Sequence, residues 1–217
     1  MHLILASASP RRAELLRSAG YIFDVVVADV DEAIRAGETP EIYVRRLAAD
    51  KSAAAMTRIA ADLKVCTTPG GGATPGGGAP KVVQAFRPAE AIVLGADTTV
   101  VVDGEILGKP LDDEDGRAML KRLSGKAHQV LTGVSLRQGA YEVGRVETTS
   151  VVFRELTDED ITWYAASGEG RDKAGGYAIQ GLAARFVPSI SGSYSNVVGL
   201  PLACVDELLR SLLASRL

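Results

Sequence analysis

Residues 92–107 read IVLGADTTVVVDGEIL and predict a long strand, a tight turn and a short returning strand. The segment Ile92–Val102 is apolar almost throughout, which is typical of a strand at a central position in a sheet. Asp103-Gly104 is a residue pair that two-residue hairpin turns favour, so Glu105–Leu107 is predicted to pair back on the strand. The sequence therefore predicts a buried central strand that ends in a hairpin.

Helices and strands alternate on both sides of this hairpin. Before it, the predicted elements are strands over Leu3–Ala6 and Tyr21–Val27 and helices that begin at Ser9-Pro10 and Thr39-Pro40. After it, they are helices over Asp112–Leu123 and Thr157–Ser167, strands over Val130–Arg137 and Val146–Phe153, a hairpin of Arg185–Val187 with Ser195–Val198, and a C-terminal helix after Pro201. This mixture predicts an α/β fold with a mixed sheet flanked by helices.

The composition is that of a globular protein with a slightly acidic balance. Of the 217 residues, 47% are hydrophobic and 24% are charged, which allows a packed core and argues against global disorder. The net charge of −3 argues against a general nucleic-acid-binding surface. Because the apolar runs are too short for a signal peptide or a membrane span, we predict a cytoplasmic protein with no nucleic-acid and no membrane partner.

A low-complexity stretch, TTPGGGATPGGGAP, occupies residues 67–80. Glycine and proline at this density cannot pack into a core, so the stretch is predicted to be a flexible surface loop. A linker between two domains is the alternative. The short segment before the stretch lacks a full set of core elements, which favours a single domain over residues 1–217 with an inserted loop.

The N-terminal motif SASPRR combines the end of a strand with the start of a helix. Ser9 suits the N-cap position and Pro10 the first helical position. Backbone N–H groups and the helix dipole favour an anion at this end, and the guanidinium groups of Arg11 and Arg12 match phosphate oxygens. A capped helix with two solvated arginines is the alternative, although adjacent arginines at the positive end of a dipole favour an anionic ligand.

Asp97 stands in the middle of the apolar strand, in the motif GADTT. A carboxylate there is costly unless it is paired, metal-bound or hydrogen-bonded. Asp97 is therefore a candidate magnesium ligand, a candidate general base for water, or both. A strand-end aspartate held by backbone N–H groups is an equally open alternative.

Three lysines are further candidates for contact with a phosphate. Lys109 follows the hairpin, Lys51 lies on the second predicted helix, and Lys173 lies in the segment DKAGGYAIQG at residues 172–181. Glycines let a ligand approach the backbone closely, and Gln180 offers both a donor and an acceptor to a base edge. Solvated lysines and an ordinary surface loop are the alternatives.

An acidic cluster of Asp29, Asp31 and Glu32 follows the second predicted strand. A solvated loop is the simplest interpretation of such a cluster. A carboxylate facing a metal is the other, because magnesium that bridges phosphates to a protein needs one or two carboxylates.

Taken together, these motifs resemble those of the Maf family of nucleotide pyrophosphatases, which are also described as septum-formation inhibitors. The similarity covers nearly the whole chain, in the order LASASPRRAELL, GADTTVVVDGEILGKP, LSGKAHQVLTGVSL, DKAGGYAIQG and GSYSNVVGLPL. It implies a fold related to inosine triphosphate pyrophosphatases, with a substrate cleft between two lobes, and it implies a homodimer. The stretch at 67–80 departs from the family pattern and looks like an insertion.

The resemblance also implies roles for individual residues. Asp97 matches the family's catalytic aspartate, and an acidic residue near Asp31 or Glu32 matches a family glutamate, so Asp97 and Glu32 are the expected metal ligands. The expected substrate-binding residues are Ser9, Arg11, Arg12, Lys51, Thr98, Lys109, Lys173 and Gln180. At three of these positions, Arg11, Thr98 and Gln180 resemble the residues of the family branch that acts on dTTP and UTP. The branch that acts on 7-methyl-GTP has a different set of residues there.

The implied function is hydrolysis of dTTP or UTP to the monophosphate and pyrophosphate, with water attacking the α-phosphorus in the presence of Mg²⁺ or Mn²⁺. Two alternative functions belong to other classes of protein. One is a nucleotide-binding regulator of cell division and septum formation that needs no turnover. The other is a phosphatase that releases single phosphates.

Overall fold

The computed structural model describes residues 2–66 and 91–214, without the side chains of residues 62–66. Its strands are β1 (His2–Ala6), β2 (Phe23–Val25), β3 (Ala91–Val102), β4 (Glu105–Leu107), β5 (Ala127–Gln138), β6 (Tyr141–Val152) and β7 (Ser189–Ser191). Its α-helices are α1 (Pro10–Ser18), α2 (Pro40–Cys66), α3 (Asp113–Leu123), α4 (Asp158–Ser167), α5 (Tyr194–Val198) and α6 (Leu202–Ala214). The predicted loop at 67–80 lies outside the described residues.

The strands form a mixed sheet in the order β2-β1-β3-β5-β6-β7, with β4 also paired to β3. β1 runs parallel to both β2 and β3, whereas β5, β6 and β7 continue the sheet in antiparallel pairs. This confirms the predicted α/β fold with a mixed sheet flanked by helices. It also confirms the central position of the GADTT strand, which is β3.

One side of β3 is shared by two strands that leave a gap between them. β1 pairs with β3 as far as Ala6, which lies opposite Gly95. β4 begins its pairing at Leu107, which lies opposite Val100. Within the part of the chain that the structure describes, residues 96–99 therefore have no strand partner on this side. The polar centre of the GADTT motif lies at this gap.

Helices cover both faces of the sheet. Alternate residues of β3 point to opposite faces of the sheet. Val93 packs in a hydrophobic cluster beneath α2, whereas Leu94 packs in a hydrophobic cluster beneath α1 and α6. A second cluster on the α6 face lies beneath α3 and α4 and includes Leu123, Phe153 and Tyr164. The division into two lobes and the single domain stay predictions.

Helix α2 lies directly on the backbone of the sheet at two glycines. A Cβ atom on Gly95 would lie 2.2 Å from the Ala48 carbonyl oxygen, and one on Gly133 would lie 2.1 Å from the Val44 carbonyl oxygen. Val44 and Ala48 are one turn apart, and Lys51, seven residues after Val44, lies on the same face of the helix. The contact therefore fixes the position of Lys51 over β3.

Replacing Gly95 by alanine should destabilise the protein by about 1–3 kcal/mol or more, because the added methyl group meets rigid backbone. Gly108→Ala is the matched control, since an added Cβ there meets nothing within 4 Å. The free energy of unfolding in urea measures both variants. Equal stability of the two would contradict the close docking of α2.

The predicted hairpin of Arg185–Val187 with Ser195–Val198 is wrong. Residues Leu182–Phe186 form a 3₁₀ helix, the second stretch forms most of α5, and β7 between them pairs with β6. Asn196 is fully buried, and its side-chain amide donates to backbone carbonyls of β5 and β6. This long-range polar contact favours the short helix over the strand that the apolar pattern predicts.

The other predicted elements are confirmed, with shifted ends. β2 covers only the middle of the predicted strand Tyr21–Val27, whereas β5 and β6 are longer than predicted. Ser9 occupies the N-cap position of α1, but its hydroxyl makes no capping hydrogen bond, which corrects the expected role. Among the described residues, no helix combines the length and the apolar character needed to cross a bilayer.

His128 on β5 is buried among aromatic rings, with 2% of its surface exposed. Its Nε2 lies 2.7 Å from the Tyr177 hydroxyl oxygen, and its ring packs edge-on against Phe153. Burial lowers the pKa of His128 from 6.5 to about 4. Between these pH values the unfolded chain binds the proton and the folded protein does not, so acidification favours unfolding.

Between pH 7 and pH 4, we expect His128 alone to lower the free energy of unfolding by about 3 kcal/mol. The loss of stability begins as the pH falls through the pKa of the histidine in the unfolded chain. It ends near the pKa of His128 in the folded protein. His128→Gln removes this titration and should flatten the pH dependence. Urea unfolding at intervals of one pH unit gives the free energy of unfolding of the wild-type protein and of His128→Gln. If this free energy fell equally with pH in both proteins, the prediction would be contradicted.

Candidate active site

A cavity of about 580 Å³ opens at the gap between β1 and β4. Its walls come from both faces of the sheet, because the gap lets side chains above and below β3 meet. The ten residues expected to bind substrate or metal all line this cavity, whereas Asp29 and Asp31 do not. The ten are Ser9, Arg11, Arg12, Glu32, Lys51, Asp97, Thr98, Lys109, Lys173 and Gln180. The structure thus brings together the motifs that lie far apart in the sequence.

Asp97 shares one lysine with a second carboxylate. Lys51 Nζ on α2 lies 2.7 Å from Asp97 Oδ1 and 2.6 Å from Glu32 Oε1. Asp97 and Lys51 are buried, with 8% and 9% of their surfaces exposed, whereas Glu32 is exposed. The buried carboxylate in the middle of β3 is therefore paired, as its environment requires.

The loop before α2 brings Glu32, and not the neighbouring Asp31, to Lys51. The Asp31 carboxylate accepts a hydrogen bond from the Ala33 backbone N–H, so this side chain is engaged within the loop. The Tyr43 hydroxyl donates to the Glu32 carbonyl oxygen, and Arg46 donates to the Ala33 carbonyl oxygen. Two side chains of α2 thus hold the loop in the conformation that directs Glu32 at Lys51.

Arg12 joins three separate segments at the opposite face of β3. Its Nε donates to the Gly199 carbonyl oxygen at 2.8 Å, its Nη1 to Ser7 Oγ at 3.1 Å, and its Nη2 to Thr98 Oγ1 at 3.0 Å. Thr98 Oγ1 in turn lies 2.9 Å from Thr132 Oγ1 on β5. Of the five N–H donors of a guanidinium, three are engaged in the protein, which leaves the others for a ligand.

The remaining candidates surround this centre. Lys109 is exposed on the segment after β4, and Gln180 is exposed in the segment after α4. Lys173 is paired with the neighbouring Asp172. Arg11 lies at the start of α1, where burial lowers the pKa of its guanidinium while nearby Asp172 opposes that shift. The cavity therefore combines paired cations with cations that face solvent.

The cavity is cationic although the protein is acidic overall. Five basic and three acidic side chains of the described residues line it, against a net charge of −3 for the whole chain. Burial lowers the pKa of Arg12, and adjacent Arg11 adds to this shift while Asp97 opposes it. Burial would raise the pKa of Glu32, but its hydrogen bond with Lys51 and the surrounding cations hold that pKa below its usual value. Such a pocket favours an anion with several charges.

The carboxylates of Glu32 and Asp97 fit a divalent cation that is shared with a ligand. Among the described residues, no group of three or more His, Cys, Asp or Glu side chains could hold a metal ion by itself. The two carboxylates do converge on one point, because both contact the Lys51 ammonium. Magnesium is commonly held by one or two carboxylates together with substrate phosphates, and this donor set matches that pattern.

Sequence reasoning missed Tyr43, which also lines the cavity. Burial raises the pKa of Tyr43 to about 12, with Asp97 and Glu32 adding to the effect, so its hydroxyl stays protonated and acts as a donor. The available signal was position on the helix, because Tyr43 lies about two turns before Lys51. Its hydrogen bond to the loop could not be inferred without the loop's conformation.

The chain is thus an α/β protein whose mixed sheet has a gap beside the central strand, and the cationic cavity at this gap surrounds a buried carboxylate. Such a site suits a polyanion beside a potential acid–base group. The chain belongs to the Maf-like protein family, whose model matches residues 2–212. It is 49% identical over 207 residues to the dTTP/UTP pyrophosphatase of Symbiobacterium thermophilum, covering 95% of this chain and 92% of the relative.

Two further relatives have the same name. The dTTP/UTP pyrophosphatase of Methylococcus capsulatus is 45% identical over 212 residues, which cover 98% of this chain and 91% of the relative. That of Vibrio cholerae is 45% identical over 207 residues, which cover 95% of this chain and 96% of the relative. The likeness therefore extends over nearly the full length of each protein, and the family membership predicted from the motifs is confirmed.

Proposed function

We propose that the protein is a nucleoside triphosphate pyrophosphatase that converts dTTP or UTP and water into the nucleoside monophosphate and pyrophosphate. The observation that carries this proposal is that five basic side chains and Asp97 line one cavity. A triphosphate is the common metabolite that supplies a matching polyanion together with a bond that water can break. The names of the relatives support the same reaction.

The basic residues divide into two groups around the reacting phosphate. Arg12 is fixed by three hydrogen bonds, so it is preorganised to donate to phosphate oxygens as charge develops on the leaving pyrophosphate. Lys109 and Arg11 supply further positive charge from the rim of the cavity. Lys51 lies beside Asp97 and stabilises negative charge at the point where water is to be activated.

Asp97 is the group that orients the attacking water or accepts its proton. The water oxygen forms a bond to the α-phosphorus while the bond to the bridging oxygen of pyrophosphate breaks. Glu32 and Asp97 would hold Mg²⁺ or Mn²⁺, which when bound supplies positive charge to the phosphate oxygens. The hydrogen bond from Lys51 helps to hold the pKa of Glu32 below its usual value.

Gln180 and the segment around it are assigned the recognition of the nucleobase. Gln180 lines the cavity, and its side-chain amide offers both a donor and an acceptor, as the Watson–Crick edge of uracil or thymine requires. Thr98 is engaged with Arg12 and Thr132, so its role is to hold Arg12 rather than to read the base. The homodimer expected from the resemblance remains a proposal.

The test is product analysis over a panel of triphosphates, with magnesium present and then chelated. We expect pyrophosphate and monophosphate as first products, with kcat/KM for dTTP and UTP at least about tenfold above those for ATP, GTP and 7-methyl-GTP. Chelation should abolish turnover. Orthophosphate as the first product would contradict the pyrophosphatase, equal rates on all nucleotides would contradict the base assignment, and binding without turnover would favour a regulator.

A further inference from the structure

Two side chains hold the backbone on either side of Gln180. The Ala178 N–H donates to the Tyr164 hydroxyl oxygen at 3.1 Å. The Leu182 N–H donates to both carboxylate oxygens of Glu169, each at 3.0 Å. Gln180 lies midway between these two anchored residues. Tyr164 belongs to α4, and Glu169 follows the end of that helix.

The two anchors also influence each other electrostatically. Burial raises the pKa of Tyr164, and the nearby Glu169 carboxylate adds to this shift. Tyr164 has 1% of its surface exposed, so its position is set by the core. Neither side chain is among the described residues that line the cavity. The Tyr164–Glu169 pair therefore acts on the backbone of this segment and does not reach the ligand.

The fit between the pair and the segment is close. A Cβ atom on Gly181 would lie 1.8 Å from Glu169 Oε1, so the carboxylate packs directly against the backbone next to Gln180. Tyr177 and Ile179 are buried in the core cluster, with 6% and 9% of their surfaces exposed. These buried residues hold the segment against the core, and Gln180 beside them is exposed and lines the cavity.

We propose that Tyr164 and Glu169 are positioning residues that set the discrimination between nucleobases by fixing the backbone on both sides of Gln180. The proposal rests on the proposed function, because it assigns to Gln180 the contact with the base. Loss of either anchor frees the segment, so the amide of Gln180 no longer meets the base edge in one geometry. The reacting phosphate contacts lie on other elements and should be affected less.

Tyr164→Phe and Glu169→Gln test this assignment. For each variant, kcat and KM are measured for dTTP, UTP and GTP, together with hydrogen exchange at the Ala178 and Leu182 amides. We expect the dTTP to GTP ratio of kcat/KM to fall about tenfold or more, chiefly through KM for dTTP. Exchange should accelerate at Ala178 in the first variant and at Leu182 in the second.

Controls separate positioning from charge and from unfolding. Glu159→Gln makes the same chemical change at an exposed position of α4 and should keep the wild-type ratio. Because Glu169 also contributes to the electrostatic environment of Arg11, the uncharged change Tyr164→Phe is the decisive one. A thermal melt shows that each variant is folded at the assay temperature.

The two proposals fail in different ways. If folded Tyr164→Phe keeps the wild-type base ratio, with or without faster exchange at Ala178, the positioning role is overturned. If the wild-type protein releases no pyrophosphate, the proposed function is overturned. In that case the affinities for dTTP and GTP, measured by calorimetry, still test the positioning role of Tyr164 and Glu169. An unchanged ratio of the two affinities in both variants would overturn that role.

Discussion

Asp97→Asn is expected to lower kcat for pyrophosphate release by at least about a hundredfold, because asparagine neither accepts a proton nor carries the charge that the site requires. The change keeps the size of the side chain, and Lys51 retains Glu32 as a partner 2.6 Å away. The fold and the binding of triphosphate should therefore survive. Rapid quantification of pyrophosphate with saturating dTTP and magnesium measures the effect.

Asp103→Asn is the control for this variant. Asp103 lies in the exposed turn at the end of the same strand, where its φ of 53° is one that asparagine also adopts. It should retain wild-type turnover. A folded Asp97→Asn protein with near-normal pyrophosphate release would refute the role of Asp97, and a parallel nucleotide-affinity measurement excludes simple loss of binding.

Arg12→Lys is expected to lower kcat/KM by about a hundredfold even though the positive charge is kept. Lysine cannot make three divergent hydrogen bonds and still face a phosphate. Gly199, Ser7 and Thr98 would lose their common donor, so the junction of α1, β3 and the turn before α6 would loosen. Steady-state kinetics with dTTP measures the loss.

Arg17→Lys on the exposed side of α1 is the matched control, and it should leave kcat/KM close to the wild-type value. The contrast between the two substitutions separates the geometry of the guanidinium from its charge. If Arg12→Lys were as active as Arg17→Lys, Arg12 would be no more than a source of positive potential. The preorganised role proposed for it would then be wrong.

Much of the fold follows from local patterns in the chain. The apolar run of β3 and the turn at Asp103-Gly104 predict the central hairpin because burial and turn geometry are encoded within a few residues. The last hairpin was predicted wrongly because α5 depends on Asn196, whose partners lie on distant strands. A local apolar pattern cannot show which backbone groups such a side chain will satisfy.

The candidate site could be predicted as a set of residues but not as an arrangement. Charge, glycine and strand-end positions indicated Arg12, Asp97 and Gln180, and the structure places them around one cavity. The chain could not show that Lys51 stands between two carboxylates, or that Glu169 contacts the backbone at Leu182. These contacts depend on how α2 and α4 dock, which follows from packing over the whole sheet.

The contact of α2 with the two glycines has a mechanical consequence for turnover. Because the helix meets the strands backbone to backbone at Gly95 and Gly133, the ammonium of Lys51 and the carboxylate of Asp97 belong to one tightly packed unit. The separation of these two groups is therefore set by the packing of helix on sheet and not by the loops that line the rest of the cavity. The enzyme can thus exchange a bulky ligand for two smaller products while the reactive pair stays aligned for the next cycle.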